Sequence, residues 1–172
     1  MPLTDVGRLA VAALLTVALA WASFTDIRDR KIRNVNVLVV MALFVPWAVL
    51  GGFSAAISDL EAGALALAVC VAMYMARLVG AGDAKLFAAV SLFVGLPGLM
   101  GLAITTAMAG GALAALILAS NPRRTMVMIS MQGKGDPGRG VPYGVAIAAA
   151  GVILVWSGLL HASLPWVAAL PR

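Results

Sequence analysis

The chain has 172 residues, 63% hydrophobic and 11% charged, with a formal net charge of +5 and a mean hydropathy of +1.04. No soluble domain of this size carries so much apolar surface, so the composition excludes a soluble globular protein and defines a polytopic membrane protein, one domain over residues 1–172. A pI near 10.2 would suit nucleic acid. The basic residues, however, fall between apolar runs rather than along one amphipathic face, so they report membrane orientation and contact with membrane lipids instead of a nucleic-acid partner.

A hydrocarbon core takes about 20 apolar residues per helix. Runs of that kind predict an all-α fold with about six transmembrane helices, at 7–25, 35–51, 61–79, 85–96, 99–120 and 141–161. The first run looks like a secretory signal ending in Ala20-Trp21-Ala22, but only Arg8, set against Asp5, precedes it, while four basic residues follow. That charge order places the N terminus outside and argues against removal. After the run comes SFTDIRDRKIRN, residues 23–34, in which Asp26 abuts the apolar segment. Asp29 sits inside the basic loop, where pairing with neighbouring arginines is its natural role.

An outer loop near 52–61 carries Asp59 and Glu61. The third run holds Cys70, the single cysteine, which has no disulfide partner and reads as a small core residue. GAGDAK, residues 80–85, follows and brings Asp83 to the edge of a span. The fourth run, LFAAVSLFVGL, is short and meets Pro97-Gly98, so it is either a half-span ending in protein or one helix continuing through Gly95 to Gly101. Gly101 and Ala109-Gly110-Gly111-Ala112 in the fifth run permit close helix packing. The polar, glycine-rich stretch 132–140 reads as a flexible connection. Pro142-Tyr143-Gly144 opens the sixth run, with proline in the first turn and tyrosine at the interface. His161 closes that run without a second histidine or acidic neighbour in sequence, which suits an interfacial histidine better than a metal ligand; Trp166 and Arg172 also suit an interface.

With the N terminus outside, the segments 26–34, 77–85 and 121–140 face the cytoplasm. They hold Arg28, Arg30, Lys31, Arg33, Arg77, Lys85, Arg123, Arg124, Lys134 and Arg139, leaving only Arg8 and Arg172 of the twelve basic residues outside. Asp26 and Asp83 therefore share the cytoplasmic face, and two antiparallel crossings between them allow close approach.

An ionisable side chain beside hydrocarbon is costly enough to mark function. Two carboxylates sharing one site cannot both ionise, so one stays charged as a base toward water while the other, protonated, polarises a peptide carbonyl. That chemistry needs neither metal nor cofactor. Gly80 and Gly82 let another backbone approach Asp83. The plainer alternative makes Gly80 to Asp83 a tight turn whose aspartate caps the next helix. An ion-coupled transporter also places acids in membranes, though it calls for acids deeper in the spans and an internal repeat. A non-enzymatic assembly subunit would use the aspartates only as caps and loop charges.

Asp26-Ile27-Arg28-x-Arg30-x-Ile32-x-Asn34, Gly80-x-Gly82-Asp83-x-Lys85 and Pro142-Tyr143-Gly144, in this order and topology, resemble the type IV prepilin peptidases, GxGD-type aspartic proteases of bacterial membranes. The resemblance implies that Asp26 and Asp83 are the catalytic pair. Gly80, Gly82, Lys85, Arg28, Arg30, Asn34, Pro142, Tyr143 and Gly144 would shape the site or bind substrate. It further implies prepilin and pseudopilin substrates, cut on the cytoplasmic side of the inner membrane after a short basic leader, commonly following a glycine. Larger members carry a cytoplasmic insertion with paired cysteines and also methylate the new N terminus. This chain, with one cysteine and no such insertion, is similar to the short branch serving Flp-type, or tight-adherence, pili, for which methyl transfer is not implied. One departure is Arg33, where the family often has proline between Ile32 and Asn34.

Overall fold

The computed structural model describes residues 3–29, 31–120 and 142–163. Arg30, the 132–140 stretch, Trp166 and Arg172 lie outside them. Among the described residues the fold is all-α: α1 Leu3–Asp29, α2 Asn34–Gly51, α3 Phe53–Met75, α4 Ala81–Ser91, α5 Gly95–Ser120 and α6 Tyr143–Ser163. All but α4 are long and apolar enough to cross a membrane. They are apolar all round, with large side chains such as Leu14, Val17, Val49, Leu65 and Met108 turned outward, as expected where lipid rather than water covers the surface. The chain is an all-α polytopic membrane protein.

α1 packs against α2 and α6, α3 against α4 and α5, and α4 touches α2, α3, α5 and α6. α4 is thus the central element. Its 11 residues span about 16 Å at 1.5 Å each, half of a ~30 Å hydrocarbon core. Leu86, Val90 and Ser91 of α4 have no exposed surface. Ser91 Oγ donates to the Ala88 carbonyl at 2.7 Å and lies 3.4 Å from the Ala62 carbonyl of α3. Of the two alternatives left open by the sequence, the half-span ending in protein is the one observed. Gly95, at φ +63°, starts a new helix, and Pro97 sits in its first turn, where a missing N–H costs nothing. α5 consequently begins four residues before the predicted 99.

α3 departs most from expectation. It starts at Phe53 rather than 61, joined to α2 through Gly52 alone, whose φ of +86° suits glycine. No outer loop exists at 52–61: Asp59 and Glu61 lie within α3, and Asp59 is buried at 8% exposure. α3 also ends at Met75 rather than 79. Leu78 N–H donates to Met73 O and Arg77 N–H to Tyr74 O, both at 2.9 Å, with Arg77 at φ +59°. This double closure is the Schellman ending, which normally uses glycine at the left-handed position. Arg77→Gly is therefore expected to stabilise the fold by about 1 kcal/mol, read as a higher thermal-unfolding midpoint in detergent.

One core holds the helices together, with Leu15 and Leu19 from α1, Val40 from α2, Leu86 and Val90 from α4, Leu102 from α5 and Ala150 from α6. Small residues allow the close approach. A Cβ at Gly151 would lie 2.6 Å from Val90 Cγ1, and one at Gly110 would lie 2.7 Å from Tyr143 Cε1. Cys70 is buried in α3.

Candidate active site

α1 does not stop where its apolar run ends, and so Asp26 lies in its last turn rather than in the basic loop. Thr25 and Asn36 hold that turn to α2. Asn36 Nδ2 donates to Thr25 Oγ1 at 2.8 Å, and the hydroxyl donates in turn to Ala22 O at 2.9 Å, all buried. Arg33 is the N-cap of α2 at φ −72°, inside the range of about −65 ± 15° that proline would impose. The backbone at Arg33 is therefore one that proline could also take. An ion pair from Arg33 to Asp29 at 3.4 Å accompanies it, with Arg28 at 3.9 Å from the same aspartate. Asp29 is exposed and engaged with arginines.

The Asp26 carboxylate is 6% exposed and its Oδ2 accepts the Gly144 N–H at 2.9 Å. That amide is one of the donors a helix leaves unpaired at its N terminus, where the dipole also favours negative charge. α6 thus supplies a preformed partner for the ionised form of Asp26. Only glycine fits: a Cβ at position 144 would lie 2.7 Å from Asp26 Oδ2 and 2.9 Å from Ile32 Cδ1.

Asp83 occupies the first turn of α4. The N-cap is Gly80, and no side chain caps the helix, so the plain capping role does not describe Asp83. Its carboxyl is pushed up to about 6, first by burial and second by the Asp26 charge nearby. A helix N terminus favours the ionised form, so these two effects outweigh it. Asp83 Oδ2 lies over Gly80, 3.0 Å from where a Cβ would be, and a Cβ on Gly82 would lie 3.1 Å from Ile32 Cβ.

Five of the residues expected from sequence therefore gather at one end of the bundle: Asp26, Asp83, Gly80, Gly82 and Gly144. Pro142 is buried beside them in sequence, and Tyr143, 43% exposed, packs on Gly110. Lys85 and Asn34 are exposed at the rim and bond each other, Nζ to Oδ1 at 3.2 Å; Arg28 points outward. Sequence reasoning missed three supporting residues. Ile32 packs against both Gly82 and Gly144; it stood in the motif from Asp26 to Asn34 but was given no role there. Thr25 and Asn36 carried no signal, since a threonine and an asparagine eleven residues apart gain meaning only when α1 and α2 meet.

A bundle of membrane-spanning helices with two neighbouring carboxyls at one end defines a polytopic membrane protein with an acidic site. The type IV leader peptidase family model matches residues 13–116, more than half of the chain, and the chain belongs to that family. It is thereby a protease in class. The matched stretch contains both aspartate segments and ends before Pro142. Comparison with curated proteins and with solved structures gives no match.

Proposed function

We propose that residues 1–172 form one aspartic endopeptidase domain that removes the leader from type IV prepilins and pseudopilins, with Asp26 as base and Asp83 as acid. The observation that carries this reading is the unequal setting of the two carboxyls. Asp26 accepts a helix N-terminal amide, while burial and the nearby Asp26 charge push the Asp83 carboxyl up to about 6. An unequal pair of this kind supports separate acid and base roles.

In the first step Asp26 takes a proton from water as the water oxygen bonds to the scissile carbonyl carbon. The carbonyl electron pair moves to oxygen, which takes the proton of Asp83. In the second step the diol collapses: its hydroxyl returns a proton to Asp83, the C–N bond breaks, and Asp26 gives its proton to the departing amine. Both carboxyls end as they began, without metal or cofactor.

The rim supports a cytoplasmic site in the bacterial inner membrane. Arg28 in the last turn of α1, Lys31, Arg33 and Arg77 in the connections, and Lys85 near the start of α4 gather at the Asp26 end, as the positive-inside rule favours. The resemblance of the three motifs to the short-form peptidases makes Flp-type prepilins the substrates to test. Incubating the purified protein in detergent with a Flp-type prepilin and S-adenosylmethionine, and weighing the products by mass spectrometry, tests this. The expected products are the free leader and an unmethylated pilin beginning after the leader glycine. An uncut prepilin under conditions where the protein stays folded contradicts the reading.

A further inference from the structure

A second polar site lies at the end of the bundle away from Asp26. Arg8 precedes Asp26 by 18 residues on α1, about 27 Å along the helix and close to the ~30 Å thickness of a hydrocarbon core. The two sites therefore belong to opposite headgroup levels. Around Arg8 a pocket of ≈ 340 Å³ opens, its polar lining made by Arg8, Trp47, Asp59, Ser157 and His161. His161, without an acidic neighbour in sequence, thus shares a cavity with Asp59.

The groups in this pocket are conspicuously unmatched. The Arg8 guanidinium lies over the Trp47 ring, 4.3 Å from its centroid. Arg8 Nε and Trp47 Nε1 are buried without a hydrogen-bond partner, and Trp47 itself is only 4% exposed. The indole N–H approaches Asp59 without reaching hydrogen-bonding geometry. Arg8 and Asp59 do not close on each other either, for the ion pairs among the described residues join Asp29 to Arg28 and Arg33 at the other end. Buried donors are normally paired, and nearby opposite charges held apart invite a ligand that is itself dipolar.

We propose that the pocket binds the headgroup of a zwitterionic phospholipid carrying a primary ammonium, a phosphoethanolamine. The phosphate accepts hydrogen bonds from the Arg8 guanidinium and the Trp47 indole, and the ammonium donates to the Asp59 carboxylate. The pocket lies where spanning helices meet headgroups, which makes a lipid its natural occupant, and arginine and tryptophan each suit that depth. An anionic headgroup would set its extra negative charge against Asp59. A choline headgroup has no N–H to give that carboxylate.

Native mass spectrometry of the detergent-purified protein, offered an equimolar mixture of phosphatidylethanolamine, phosphatidylglycerol and phosphatidylcholine with matched acyl chains, tests this. Wild type is expected to retain phosphatidylethanolamine at least fivefold over the other two. Asp59→Asn is expected to lose that preference, with phosphatidylglycerol rising to equal or exceed it, while Asp59→Glu keeps it. The gain for the anionic lipid is a result that misfolding does not produce. Equal retention of all three lipids by wild type overturns the proposal, as does an undiminished preference in Asp59→Asn. If Asp59→Asn does not accumulate, Arg8→Gln replaces it, with loss of the preference expected and its persistence decisive against the site.

Discussion

Asp83→Asn is expected to abolish leader cleavage while making the protein more stable above pH 6. The catalytic loss follows from the proposed role of Asp83 as proton donor to the scissile carbonyl, since an amide of the same size cannot supply that proton. Acid–base groups contribute about 10²–10⁴-fold, and the whole of that is at stake. The gain in stability follows from linkage. The carboxyl of Asp83 ionises near 3.8 when unfolded and is raised to about 6 in the fold. The folded state therefore binds the proton more tightly, so its stability is highest at low pH and declines as pH rises from about 4 to about 6. Above that window a charge remains buried beside Asp26, at a cost of about 1–3 kcal/mol by the conversion of ~1.4 kcal/mol per pKa unit. Asparagine removes that cost. Cleavage of a co-expressed prepilin, followed by gel shift, together with the unfolding midpoint at pH 7.5, reads both effects. Loss of cleavage with a lowered midpoint would mean a folding defect instead of a lost acid.

Gly144→Ala is expected to lower cleavage by about 100-fold or more, the scale at which a 1 Å misplacement of a reacting group acts. The new methyl would meet Asp26 Oδ2 at 2.7 Å and Ile32 Cδ1 at 2.9 Å. Neither neighbour has an easy retreat, because Asp26 is buried in the last turn of α1 and Ile32 already packs against Gly82. The carboxylate must move off the amide that orients it, and the base shifts relative to Asp83. Steady-state kinetics on purified protein should show the loss in kcat rather than in KM, because the methyl disturbs Asp26 and leaves the exposed rim of Lys85 and Asn34 untouched. Asp29→Asn, a substitution in an exposed ion-paired group, serves as the control and should cleave normally.

Hydropathy made most of the fold legible. The five long apolar helices and the single-faced placement of Asp26 and Asp83 follow from where apolar runs stop and where basic residues collect. What a linear reading lacked was the partner across a helix interface. Asp59 and Glu61 looked like loop charges, yet α3 takes both in, with Asp59 buried where Arg8 and Trp47 come within reach from other helices. The end of α3 depends on Arg77 taking a left-handed conformation that sequence assigns to glycine. The boundary between α4 and α5 is likewise set by tertiary contact, since a segment of 11 residues is stable as a half-span only when protein surrounds it. At the site, the GAGD motif pointed to Gly80 and Gly82, and Pro142-Tyr143-Gly144 to the third glycine. The clamp of Ile32 between two of them depends on three separate segments meeting.

The transporter and assembly-subunit readings lose ground to the family match over residues 13–116, and the proposed mechanism names Asp26 as its base and Asp83 as its acid. The most direct test of that assignment is the pH dependence of kcat/KM for prepilin cleavage by the purified enzyme. An enzyme in which Asp83 must carry the proton loses activity along an alkaline limb near pH 6. A rate that stays flat or keeps rising from pH 5 to pH 8 would contradict it, because Asp83 gives up its proton across that range.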